Sequence, residues 1–239
     1  MPHSPKIHYA TLENCHEAGG AVVVIDVLRA FSTAAYAFGQ GVERIFPVGE
    51  PHEALALREK IPNSLAVGEI NGIPFPGFDM GNSPKQMLEA DDLRGRTLVQ
   101  RTSAGTQGLI RSLKAQTLLS ASFVVARATA DYLRIISADE ITFVSTGINN
   151  NGRGDEDLAC AEYIHQLLLG AQPDPSPYLL RVRTSREAAL FLDSTLPQFP
   201  PEDVEHCTRL DHFNFAMPVR RENGYLVMRA LHSKPDIYS

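Results

Sequence analysis

Asp26 and Arg29, three residues apart, follow directly on the aliphatic run Val22-Val23-Val24-Ile25. A carboxylate can serve as a hard oxygen ligand or a nucleophile, and a guanidinium as a forked donor to an anion. The arrangement recurs twice. Thr97-Leu98-Val99-Gln100 leads into Arg101-Thr102-Ser103-Ala104-Gly105-Thr106, where an arginine, three hydroxyls and a glycine suit a loop wrapped round an oxyanion. Residues 140–147 open into a polar stretch from Asn149 to Gly154 that runs into Asp155-Glu156-Asp157, and Glu69 follows the short apolar run at 64–67. Hard oxygen donors without a cysteine or histidine cluster favour magnesium over zinc. Magnesium, arginines and a glycine-containing anion pocket together are the equipment of phosphoryl chemistry. The plainer reading of Asp26 and Arg29 is an ion pair closing a strand-to-helix turn.

Several familiar sites are excluded. Leu28 stands two residues past Asp26, so the Asp-x-Asp-x-Thr pattern of aspartyl phosphatases is absent. No Gly-Lys-Ser/Thr, Gly-x-Ser-x-Gly or strand-borne Gly-x-Gly-x-x-Gly is present. His206, His212 and His232 lack metal-ligand spacing.

The elements that must hold these residues follow from the apolar pattern. Val22 to Ile25 reads as a strand buried on both faces, as in a parallel sheet, and ligands collect at the carboxyl ends of such strands. A helix is expected from Ala34 to Gly39, capped by Ser32 or Thr33. A strand near 44–48, a helix from Pro51 and a strand at 64–67 continue a β-α-β-α unit. The stretch from Ile70 to Pro84 is rich in Pro, Gly and Asn yet carries Ile73, Phe75, Phe78 and Met80, which argues for an ordered, functional loop. Ser83 and Pro84 then form a helix start able to receive an anion. Further strands are expected at 97–100, 116–119 and 140–147, with helices at 109–115, 122–136 and 158–169. Ser185 to Leu192 should be helical near the surface, and Glu202 to Thr208 a short helix. Glu222-Asn223-Gly224 between two apolar runs signals a hairpin, read as edge strands completing the sheet. If the strands are parallel neighbours, the three polar loops open on one edge and their charges meet in one crevice.

The chain has 239 residues, 44% hydrophobic and 21% charged, which suits one compact α/β unit over residues 1–239. A net charge of −6 and the lack of tryptophan argue against nucleic acid and for a small-molecule partner. Cys15, Cys160 and Cys207 form no disulfide framework, and neither a signal peptide nor a membrane span is evident; the expectation is a cytoplasmic, reduced protein without a membrane partner. A homo-oligomer is compatible with the sequence.

Ile25-Asp26-Val27-Leu28-Arg29-Ala30, Gly68-Glu69, Pro76-Gly77-Phe78-Asp79-Met80-Gly81-Asn82-Ser83-Pro84, Thr102-Ser103-Ala104-Gly105-Thr106 and Glu156-Asp157-Leu158-Ala159-Cys160-Ala161 resemble, in order, blocks of the 2-phosphosulfolactate phosphatase family. The resemblance covers residues 21 to about 170. It implies a three-layer α/β/α fold with a mostly parallel mixed sheet and a Mg²⁺-dependent hydrolase that removes phosphate from 2-phospho-3-sulfolactate, a step towards coenzyme M. Ala104 stands where the family loop, Thr-Thr-Asn-Gly-Thr, carries its amide. On this reading Asp26 and Asp157 are the leading metal ligands, with Asp155 or Glu156 as alternatives to Asp157. Glu69 is a third ligand or the base that orients water. Arg29 and Arg101 neutralise the anionic substrate, and Asn82, Ser83, Thr102, Ser103, Gly105 and Thr106 supply hydrogen bonds. Attack by Asp26 and attack by water both remain open. A non-catalytic binder of a phosphorylated metabolite, and a phosphatase of another 2-phospho acid, are the alternatives.

Overall fold

The computed structural model describes residues 5–147 and 154–232; the polar stretch expected at 149–153 lies outside them. Lys6–Thr11, half polar and largely solvent-facing, forms β1, an edge strand the sequence pattern did not reveal. Next come β2 (Ala21–Ile25), α1 (Ala30–Gly39), β3 (Arg44–Pro47), α2 (Pro51–Lys60), β4 (Ser64–Gly68), α3 (Pro84–Glu89), β5 (Thr97–Arg101) and α4 (Gly105–Arg111). They are followed by β6 (Thr117–Ala121), α5 (Ala126–Ile135), β7 (Glu140–Ser145), α6 (Asp155–Leu168), α7 (Ser176–Arg183) and α8 (Glu202–Cys207). The chain ends in β8 (Phe215–Glu222), β9 (Tyr225–Met228) and the two-residue β10 (Leu231–His232). The result is an α/β domain built on one mixed sheet with helices packed on it, in the order β1-β7-β2-β6-β8-β9-β3-β5-β4, with β10 beside β8.

All five residues of β2 are buried because it lies inside the sheet, with β7 and β6 as parallel neighbours. The C-terminal hairpin does not lie at the edge. β8 pairs antiparallel with β6 and β9 antiparallel with β3, so the hairpin joins two parallel groups in mid-sheet. Its central position explains its apolar run Phe215-Ala216-Met217-Pro218-Val219, every residue of which is buried.

This joint has a geometrical consequence. Traced through three antiparallel pairings, β3, β5 and β4 run opposite to β2, and a flat sheet would send the loops after β2 and β5 to opposite edges. They meet instead: the Gln100 side-chain amide donates to the Ala30 carbonyl at 3.0 Å. The two groups must therefore be strongly rotated about the hairpin, where β9 and β3 share only the pair Ile45 and Met228. The core agrees. Val22 and Val24 of β2 share one cluster with Ile45, Val67 and Leu98 of the other group, with α1 and Leu109 of α4 among them. Val23 and Ile25, on the opposite face of β2, pack with α5, α6 and α7. Phe46 and Val99 face outward against α2. Enclosed in this way, α1 is buried at every position from Ala30 to Phe38, as expected of a helix apolar all round.

Three helices begin earlier than their apolar pattern suggests, α1 at Ala30 rather than Ala34, α4 at Gly105 rather than Leu109 and α6 at Asp155 rather than Leu158. In α4 the added turn holds Gly105 and Gly108, both set close against side chains of neighbouring elements. A Cβ built on Gly108 of α4 would lie 2.5 Å from Cγ1 of Val24, so the helix can rest on β2 only with glycine there. Gly108→Ala should therefore destabilise the protein by about 1–3 kcal/mol through overpacking, although alanine is the better helix former by about 1 kcal/mol. Denaturant unfolding of the two proteins checks this; equal midpoints would contradict the close seat of α4 on β2.

Candidate active site

At the end of β2 the chain turns through residues 27–29 into α1, and Asp26 organises the turn. Its Oδ1 accepts the Ala30 amide at 2.9 Å and its carbonyl accepts the Phe31 amide at 3.1 Å. Asp26 thus takes the capping role expected of Ser32 or Thr33; Ser32 instead donates to the Val27 carbonyl at 2.8 Å. The amide of Gly105, first residue of α4, also reaches the Asp26 carboxylate. A Cβ on Gly105 would lie 2.8 Å from Asp26 Oδ2 and 2.7 Å from the Ala30 Cβ, so this approach requires glycine. Burial pushes the Asp26 carboxyl up to about 6, the Glu69 charge adds to the rise, and the Ala30 and Gly105 amides oppose it.

Asp157, in the first turn of α6, joins the loops after β2 and β7. Its Oδ1 accepts the Val27 amide at 2.8 Å, and its Oδ2 accepts the Gly147 and Thr146 amides at 2.9 and 3.0 Å and the Thr146 hydroxyl at 3.3 Å. Burial and the Asp26 charge nevertheless raise it to about 8. Glu156 beside it is also buried, is raised to about 9 by burial and by the charges of Asp157 and Glu187, and has no partner for Oε2. Glu69 clamps two loops: Oε1 accepts the Ser103 amide at 2.7 Å, and Oε2 accepts the Gly72 amide at 2.5 Å and the Ser103 hydroxyl at 3.1 Å.

A cavity of about 460 Å³ brings Asp26, Arg29, Glu69, Asn82, Ser103 and Asp157 to one wall system, with Thr146 and Glu156 beside them. The other residues expected to meet substrate do not line it. Arg101 donates to the carbonyls of Gly49 at 3.1 Å and Glu69 at 2.9 Å, so its guanidinium braces the loops. Thr102 and Thr106 bond reciprocally, amide to hydroxyl, at 2.9 and 3.1 Å and lock the first turn of α4. Ser83 caps α3 by accepting the Gln86 amide and donates to Asp203 at 2.9 Å. Gly105 acts through its amide and its lack of a side chain.

Arg29 is 4% exposed. Its Nη1 donates to the Gln198 carbonyl and to Asp203 Oδ2, each at 2.8 Å. The ion pair imagined between Asp26 and Arg29 is therefore replaced by one with Asp203, across 174 positions of chain. Among the described residues no three His, Cys, Asp or Glu side chains form a ready-made metal cage. Asp157 and Glu69, expected as ligands with Asp26, already receive N–H donors on both oxygens. Unmet acceptor capacity is found at Glu156 Oε2 and at Asn82 Oδ1, both buried on the cavity wall. Mutually repelling buried carboxylates with an unpartnered oxygen fit a hard divalent cation, which commonly takes only one or two carboxylates alongside water and phosphate.

Sequence reasoning missed Asp203, Phe191, Phe199 and Thr146. Pro200-Pro201-Glu202-Asp203 does read as a helix start with acids in its first turn, but nothing local couples it to Arg29.

A family model described as 2-phosphosulpholactate phosphatase matches residues 7–222. A probable 2-phosphosulfolactate phosphatase of Bacillus subtilis is 33% identical over 84% of this chain and 87% of its own. Its counterpart in Carboxydothermus hydrogenoformans is 37% identical over 83% and 79%, and that in Thermotoga maritima 34% over 80% and 85%. Among the described residues no helix is long and apolar enough to cross a membrane. With a family model matched along a span that holds the whole cavity, and relatives of this identity over most of their length, this chain belongs to the 2-phosphosulfolactate phosphatase family.

Proposed function

We propose that this chain is a Mg²⁺-dependent phosphomonoesterase that converts 2-phospho-3-sulfolactate to 3-sulfolactate and phosphate. The observation that carries the reading is the meeting, in one cavity, of mutually repelling buried carboxylates, one of them with an unpartnered oxygen, and a buried guanidinium. The former favour a hard cation and the latter a phosphate. The choice of sulfolactate among 2-phospho acids rests on kinship with the relatives above. Three free, buried cysteines suit a reducing cytoplasm.

In this reading Arg29 binds the phosphate through the part of its fork not committed to Gln198 and Asp203. Asp26 and Glu156 would hold the metal, and Asp157 keeps the loops that carry them in register. Bound Mg²⁺ supplies neutralisation of charge on the phosphate. The amides of Ala30 and Gly105 fix the Asp26 carboxylate, which either attacks phosphorus, displacing the substrate's 2-oxygen and leaving an acyl phosphate for water to hydrolyse, or takes a proton from the water whose attack displaces that oxygen. In both routes the 2-oxygen leaves with a proton drawn from solvent or the site. Asn82 hydrogen-bonds the acid portion of the substrate.

The deciding assay measures phosphate release, with Mg²⁺, from 2-phospho-3-sulfolactate, 2-phosphoglycerate and phospholactate. The sulfonate compound should give the highest kcat/KM. A higher value for another acid would replace the substrate, and tight binding without turnover of any would make the protein a binder. Asp26→Asn should remain folded and lose about 10²–10⁴-fold in kcat/KM; retained turnover removes Asp26 from the chemistry.

The carboxylates also set a pH dependence of stability. In the unfolded chain they titrate near ~4, whereas in the fold Asp26, Asp157 and Glu156 hold their protons to about 6, 8 and 9. Between these limits the folded protein binds more protons, so its stability falls as pH rises. Without metal, Tm should decline from pH 5 to pH 9. Mg²⁺ should raise Tm more at pH 8 than at pH 5.5, because fewer protons compete with it. A flat Tm profile that Mg²⁺ leaves unmoved would contradict the cation site.

A further inference from the structure

We propose that Asp203 is a positioning residue for this reaction: its buried ion pair fixes the plane in which Arg29 presents its guanidinium to the phosphate. The inference rests on the phosphatase reading above. Asp203 is fully buried in the first turn of α8, and its Oδ2 accepts Arg29 Nη1 at 2.8 Å. The guanidinium carbon lies 5.1 Å from the ring centroid of Phe191 and 4.8 Å from that of Phe199. A flexible three-carbon stem is thereby reduced to one orientation by a carboxylate, a carbonyl and two aromatic faces.

The other oxygen of Asp203 accepts the Ser83 hydroxyl and the Lys85 amide, each at 2.9 Å. Ser83 adjoins Asn82 on the cavity wall. One carboxylate therefore sets the position of Arg29 relative to Asn82, two groups that must grip the same small substrate from separate segments. Anchoring α8 alone would not require a charge, since apolar residues of similar volume often serve a buried site as well as an ion pair. A fixed fork at the edge of a cavity is what pre-organised charge stabilisation requires.

The test compares wild type, Asp203→Asn, Phe191→Leu and Arg29→Lys at saturating Mg²⁺, with kcat expressed per folded molecule and Tm recorded separately. Asp203→Asn keeps the outline of the side chain but turns an N–H₂ group towards donors. Its kcat should fall about ten- to hundredfold, the scale of a small misplacement of a catalytic group. KM should stay within about threefold, because a looser fork weakens phosphate binding while an unneutralised guanidinium strengthens it. Phe191, buried and away from the cavity lining, should show the same pattern on conversion to leucine, with kcat down about two- to fivefold. A role in stability alone would lower Tm and leave kcat unchanged. Wild-type kcat in both variants, with turnover lost in Arg29→Lys, overturns the positioning role and spares the phosphatase reading. Should Asp203→Asn fail to fold, Phe191→Leu decides by the same criterion. No phosphate release by the wild type from any of the three phospho acids overturns that reading and this inference together.

Discussion

Asp157 and Val27 are separated by 130 positions of chain, yet the carboxylate of one accepts the amide of the other in a fully buried bond. With the Thr146 and Gly147 amides on its second oxygen, Asp157 accepts backbone donors from two loops, sharing the Thr146 amide with the Ile25 carbonyl of β2 at 3.2 Å. Burial raises the cost of keeping a charge there, and the Asp26 carboxylate raises it further. Loss of the acceptor would leave the buried Val27 N–H unpaired, at about 1–3 kcal/mol, and would strip the Thr146 and Gly147 amides of their bonds to the carboxylate. The loop ends of β2 and β7 are thus held together by the same group whose charge makes the neighbourhood receptive to a cation. Structure and chemistry draw on one residue, and the site carries its destabilisation in the fold itself.

The second half of the cavity arrives from a group of strands that runs the other way. Rotation about the mid-sheet hairpin brings the end of β5 to the end of β2, and the contact is sealed by residues without side-chain bulk. Gly105 and Gly108 let α4 touch Asp26 and Val24, and Ala30, Ala34, Ala35 and Ala37 let α1 lie between the two groups with every face covered. Larger side chains on α1 or α4 would hold the two groups apart and open the cavity to solvent. Small residues at these positions are the means by which opposite strand ends share one wall.

Much of this was legible in the sequence, and the unread part has a physical reason. The apolar pattern points to parallel neighbours with their loops on one edge, whereas β5 runs opposite to β2 and its loop arrives through rotation about the mid-sheet hairpin. The aliphatic run of β2 and the Ser83-Pro84 helix start follow from local pattern, as does the hairpin around Asn223-Gly224. Its place in mid-sheet does not, because strand order is set by packing between remote segments, and a strand buried on both faces looks alike wherever it sits. Side-chain roles divided on the same line. Arg101 and Arg29 are indistinguishable as arginines at strand ends, but the first meets carbonyls of its own loops and the second meets Asp203. Only tertiary contacts decide which guanidinium faces the cavity. Asp203, lying beyond a proline pair in a segment that reads only as a short helix, gave no local sign of its partner.

The charge of the cavity places a further demand on the phosphatase reading. Among its described lining residues stand six carboxylates, those of Glu13, Asp26, Glu69, Glu156, Asp157 and Glu187, against the guanidinium of Arg29. Asp203 already balances that guanidinium at 2.8 Å. A phosphorylated acid bearing several negative charges would meet net repulsion here, and in a partly desolvated site the interaction is stronger than in water. Protonation relieves some of the repulsion, since Glu156 and Asp157 hold their protons to about 9 and 8, but it supplies no attraction. On the phosphatase reading a divalent cation held among the carboxylates would supply it. Cation and substrate should then strengthen each other's binding, by linkage to the same factor. On that reading the cavity is selective by charge before it is selective by shape: without the cation it should turn away the anions that it would take up in the cation's company.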